Sequence, residues 1–126
     1  MPMNRLLLAT LVAVTSLPLM ANQCTAQSLC DKRVQCEREE NDVDSSSDAA
    51  AVCSAEYQAQ IAALEANEED ECHRLARATV ALDTCRIGLR CEDFLAQDFG
   101  GECDDEDDEL RDALEEVDGL ECTAQE

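Results

Sequence analysis

Aromatic side chains are nearly missing from this chain. It has no tryptophan, and Tyr57, Phe94 and Phe99 are its full set of rings. Rings dominate the apolar payload of most cores, so their scarcity excludes a large ring-packed interior and calls for reinforcement of another kind. Basic residues are scarce too, nine Lys and Arg against 30 Asp and Glu, for a formal net charge of −21. A surface of that sign repels nucleic acid and anionic membranes. The partners left open are an unidentified protein, basic in charge, or cations. With one histidine, His73, no histidine pair can hold a metal. No C-x-x-C occurs either, and the closest cysteine spacing is C-x5-C. That excludes the usual redox pair and the tight pairing that gathers thiolates around zinc.

The opening "MPMNRLLLATLVAVTSLPLMA" carries one early charge, Arg5, then an apolar stretch from Leu6, then Pro18 and small residues. It predicts a secretory signal peptide over 1–21, with cleavage as late as residue 26 as the alternative. The apolar part is short for a bilayer and no basic stop-transfer cluster follows, so no membrane span is expected. The remainder, 22–126, is expected to be one cysteine-rich acidic domain, secreted or periplasmic. In an exported chain, nine cysteines predict disulfides as the missing reinforcement.

The cysteines are Cys24, Cys30, Cys36, Cys53, Cys72, Cys85, Cys91, Cys103 and Cys122. "CDKRVQC" and "CRIGLRC" share the x5 gap and are each followed by Glu. "CSAEYQAQIAALEANEEDEC" and "CDDEDDELRDALEEVDGLEC" share an x18 gap, with "ALE" at the same offset. Residues 30–72 and 85–122 therefore read as two internal repeats that differ by five residues in the first linker.

No strand pattern is visible, and the fold class expected is all-α, about four helices forming disulfide-stapled tandem hairpins. Cys53, Tyr57, Ile61 and Leu64 share one helical face, as do Cys103, Leu110, Leu114 and Val117. "DSSSDAAA" offers Asp and Ser caps before the first of these helices. Asp104 to Glu109 place negative charge where the macrodipole of the last helix favours it. Cys72 to Gln97, with no proline and only Gly88, reads as one long helix, "FGG" at 99–101 turns the chain, and 22–40 reads as a weaker helix. In an alternative, the second and third helices run together.

Antiparallel helices oppose residues whose numbers share a constant sum. Cys91 with Cys103 and Cys72 with Cys122 share one, and Asp83–Arg111, Arg86–Asp108 and Arg90–Asp104 fit the same register. Equivalence of the repeats then predicts Cys36–Cys53 and leaves Cys30–Cys85. Cys24 is left over, unpaired or removed with the leader.

His73 beside Cys72 suggests a thiol–imidazole couple, but adjacent helical side chains diverge by about 100°, so a solvent-facing histidine is expected. The acidic run at 104–109 has no glycine at the sixth position and lacks the ligand alternation of an EF-hand loop, so a charged helix face is expected. Arg74, Arg77, Arg86 and Arg90 line one stretch with only Asp83 against them. They suggest either a docking strip or a helix that neutralises acidic neighbours, and the second is expected. No nucleophile triad, phosphate loop or carboxylate dyad stands out. The expectation is a non-enzymatic binding or structural module, monomeric or weakly dimeric, with no cofactor. The alternative is a cation or metal buffer using acidic clusters or thiolates.

Overall fold

The structure, a computed structural model, describes residues 23–122. The predicted signal peptide lies outside them. Every regular element among the described residues is helical: α1 over 23–41, α2 Ala49–Ala66, α3 Asp70–Ile87, the short α4 Cys91–Phe94, a 3-10 turn Phe99–Gly101, and α5 Asp104–Glu116.

Local chemistry sets most of the boundaries. Helix α1 closes with Asp42 in the left-handed region (φ 52) and the Val43 amide donating to the Glu37 carbonyl. That is a Schellman closure with Asp where Gly is usual. Helix α2 starts without the expected side-chain cap: Asp48 occupies the position but makes no capping bond, and the Ala49 amide donates to the Ser46 carbonyl instead. Asn67, extended at φ −68 and ψ 150, ends α2, so α2 and α3 are separate helices. Asp70 and Glu71 in the first turn of α3 and Arg86 in its last both complement the helix dipole.

The long helix expected from Cys72 to Gln97 is broken. Helix α3 stops at Ile87, Gly88 caps it, and Arg90 is extended (φ −67, ψ 156) before α4 begins at Cys91. The "FGG" turn is tighter than the sequence suggests. Phe99, Gly100 and Gly101 all have positive φ, and a Cβ at Gly100 would come within 2.5 Å of the Asp93 carboxylate. Only glycine fits there.

Two apolar clusters form the core. In one, Ile61 and Leu64 of α2 meet Leu75, Ala76 and Ala78 of α3 and Ala113 of α5. In the other, Phe94 of α4, 1 % exposed, packs on Leu29 and Cys36 of α1. Tyr57 touches both clusters. Leu110 and Val117 pack against the first cluster, but Leu114, expected on that inner face, is 51 % exposed and Ala113 takes its place.

Four disulfides join these elements. Cys30–Cys53 ties α1 to α2, Cys36–Cys91 ties α1 to α4, Cys72–Cys122 ties α3 to the residues after α5, and Cys85–Cys103 ties α3 to the residue before α5. Of the expected pairs only Cys72–Cys122 is among them. Cys36–Cys53, Cys91–Cys103 and Cys30–Cys85 are corrected. The cause is the break after Ile87: Cys91 no longer continues the α3 face that meets α5, so Cys85 takes Cys103 and Cys91 turns to Cys36. Cys24 is exposed and unbridged. The helices do not repeat as the cysteines do, since the first C-x5-C lies inside α1 and the second straddles the α3–α4 break. The bridge set is nevertheless unchanged when Cys30, Cys36, Cys53 and Cys72 are exchanged with Cys85, Cys91, Cys103 and Cys122.

Candidate recognition groove

Helices α3 and α5 run antiparallel, bridged at both ends by Cys72–Cys122 and Cys85–Cys103. Between them lies an open groove of about 480 Å³. Arg74, Arg77, Ala78 and Ala81 line it from α3, three to four residues apart and therefore on one face. Asp105, Glu106 and Glu109 line it from the first turns of α5. The alanines make a shallow floor between a cationic and an anionic wall.

The arginines of this region have different fates. Arg74 crosses the groove to Glu116, with Glu109 at 3.8 Å. Arg86 turns back to Asp83 at 3.1 Å, in a site where the two side chains are 17 % and 10 % exposed. Its guanidinium lies between the rings of Phe94 and Phe99, 4.6 and 4.7 Å from their centres, a cation–π arrangement. Arg90 pairs with Glu92 at 2.8 Å and Asp93 at 3.5 Å. Arg77 is exposed and has no ion pair among the described residues. The neutralising of acidic neighbours expected of the arginines is thus seen for Arg74 alone, since Arg86 and Arg90 pair with acids two or three residues away in the chain.

None of the three cross-helix pairs expected from the register forms. Asp83 faces inward, 7 % exposed, and Arg86 is its i+3 neighbour. Arg111 faces outward and takes Asp107 at 3.0 Å and Asp108 at 3.8 Å from its own helix. Local pairs at these spacings need no second element to be in register.

A buried polar node, Tyr57, Asp83 and Arg86, was not foreseen. The Tyr57 hydroxyl is buried and makes no hydrogen bond of normal geometry. Burial pushes its pKa up, and the neighbouring Asp83 carboxylate pushes it further. Asp83 was the signal available in sequence: a lone acid three residues before an arginine, on a stretch otherwise free of acids.

His73 is not the solvent-facing residue expected. It is partly buried, one ring nitrogen bonds the Asn67 carbonyl, and the other lies 3.9 Å from Asp70. Asn67 also donates to the Glu121 carbonyl and accepts from the Glu69 amide. The thiol–imidazole couple does not exist here, because Cys72 is bridged to Cys122. In the acidic run, Asp107 and Asp108 pair with Arg111 and Glu109 with Arg74, while Asp104 and Asp105 are exposed. Among the described residues, no three His, Cys, Asp or Glu side chains are gathered as a metal would need, and no helix is long and apolar enough to cross a membrane.

No family model matches this chain, and neither a curated protein nor a solved structure is significantly similar to it.

Proposed function

We propose that this protein is a secreted or periplasmic, non-enzymatic binding module, held rigid so that its surface presents a fixed shape to a protein partner. The observation that carries the reading is the placement of the four bridges. One joins α1 to α2, one joins α1 to α4, and two fasten α3 to the two ends of the α5 segment. Rigidity of that kind lowers the ordering cost of binding. Bridges also suit an oxidising compartment, which agrees with the leader-like start.

A second reading, a cation buffer, is favoured by one observation: Asp104, Asp105 and Asp112 are exposed and carry no ion pair among the described residues. Its thiolate form is disfavoured, since eight of the nine cysteines are bridged.

Intact mass of the exported protein, native and denatured, with thiols alkylated before reduction, separates the two. Eight bridged cysteines and no retained metal support the module. Several free thiols with a metal mass lost on denaturation transfer the assignment to the buffer. A calcium-dependent rise in melting temperature would favour the buffer's carboxylate form, since a ligand at a hundred times its Kd stabilises by about 2.7 kcal/mol.

A further inference from the structure

We propose that the α3–α5 groove docks a helical segment of a partner protein, one that carries a carboxylate and a cationic side chain beside a small or apolar contact face. The inference rests on the binding-module reading and specifies its partner's chemistry.

Arg77 is the starting point. It is one of three basic residues, with Lys32 and Arg33, that make no ion pair among the described residues, and the one of the three that lines the α3–α5 groove. Its own helix offers it no carboxylate: the residues three and four positions away are His73, Arg74, Val80 and Ala81. Across the groove, Glu109 and Glu116 are engaged by Arg74. Asp105 and Glu106 line the opposite wall and make no ion pair among the described residues. One unpaired cation, Arg77, and two unpaired carboxylates, Asp105 and Glu106, therefore line opposite walls of one groove. A ligand of a single sign meets attraction on one wall and repulsion on the other. A ligand with both signs, acid toward Arg77 and base toward Asp105 and Glu106, satisfies the two together.

The floor favours a helix as occupant. Ala81 is exposed and carries only a methyl group, and Ala78 beside it is buried in the first core cluster. No long side chain therefore fills the space between the walls, and a third helix could approach the α3–α5 pair closely, since interaxial distance follows the side chains at the contact. A glutamate and a lysine four residues apart on such a helix fall on one face and can reach opposite walls. The overall negative charge of the protein would speed the approach of the basic end.

The test uses the full oxidised protein and four synthetic helical peptides of equal length: one alternating Glu and Lys at four-residue spacing on an alanine background, one with Lys alone, one with Glu alone and one uncharged. Binding is followed by amide chemical shifts and by calorimetry, for the parent and for Arg77→Ala and Ala81→Leu. The mixed-charge peptide is expected to bind saturably, to shift Ala78, Ala81 and Glu106, and to lose at least tenfold in affinity in each variant. Arg77 and Ala81 are exposed, so neither variant threatens the fold, and unchanged far-UV circular dichroism checks this. Tightest binding by the Lys-only peptide, insensitive to Arg77→Ala, would overturn the groove assignment as mere charge attraction. Saturable binding with shifts confined to other faces would overturn it too, yet leave the module reading standing. No saturable binding by any of the four overturns the groove proposal, while the bridge count above decides the module separately.

Discussion

Removing the Cys72–Cys122 bridge should cost this protein a large part of its stability, and the size of the loss can be worked from the chain path. In Cys72→Ala/Cys122→Ala the unfolded chain regains the freedom of the loop that the bridge closed. That loop spans 50 residues in sequence. Cys85–Cys103, still intact, shortens it: the path now runs from Cys72 to Cys85, across the bridge, and from Cys103 to Cys122, about 32 residues in all. On the chain-entropy scale a loop of ~32 residues corresponds to about 3.7 kcal/mol, and the 18-residue loop of Cys85–Cys103 to about 3.2 kcal/mol. Typical domains are stable by about 5–15 kcal/mol, so either loss should be plain in guanidinium unfolding followed by circular dichroism. Cys24→Ser is the control. It alters an exposed, unbridged thiol, and surface changes of that kind fall within about 0.5 kcal/mol. A loss below about 1 kcal/mol for either bridge, or a cost at Cys24 equal to theirs, would refute the stapled-hairpin account.

Three further outcomes are expected. Peptide mapping of the oxidised protein should recover Cys36 joined to Cys91; a Cys36–Cys53 peptide would mean that α3 runs on past Gly88. Phe94→Ala should destabilise by about 3–5 kcal/mol, because a 1 % exposed ring leaves a cavity, whereas Phe99→Ala, at a partly exposed site, should cost clearly less in the same denaturant melts. Tyr57, the only tyrosine, has its pKa raised in the fold by burial and by Asp83. Its contribution to stability is therefore intact below about pH 10, the unfolded value, and is lost as pH rises above it. Phenolate absorbance should appear only as the protein unfolds, and ionisation near pH 10 with the fold intact would show that the site is wetter than described.

The helical class and the α3–α5 hairpin were legible because period and cysteine spacing carry them directly. Ile61 and Leu64 lie on the face that the pattern assigned them and are buried. The pairing of the C-x5-C cysteines was not legible. It turned on whether one residue, Gly88, ends a helix in a stretch with no proline, and no periodic signal decides that. The break takes Arg90 off the α3 face, whereas Asp83–Arg111 and Arg86–Asp108 fail because Asp83 is buried against Arg86 and Arg111 finds its acids on its own helix. Arg77 was visible only as one of four arginines. Which of them would lack a partner depended on how α5 sits against α3, a tertiary fact.

The symmetry of the bridge set has a consequence for ancestry and for synthesis. Cys30–Cys53 and Cys85–Cys103 are counterparts, whereas Cys36–Cys91 and Cys72–Cys122 each join a cysteine to its own counterpart. A half-length chain bearing only one set of four could reproduce this bonding pattern only with a copy of itself, each half closing one internal loop while two bridges crossed between the copies. Fusing two such halves would turn a covalent homodimer into a single chain and free each half to diverge.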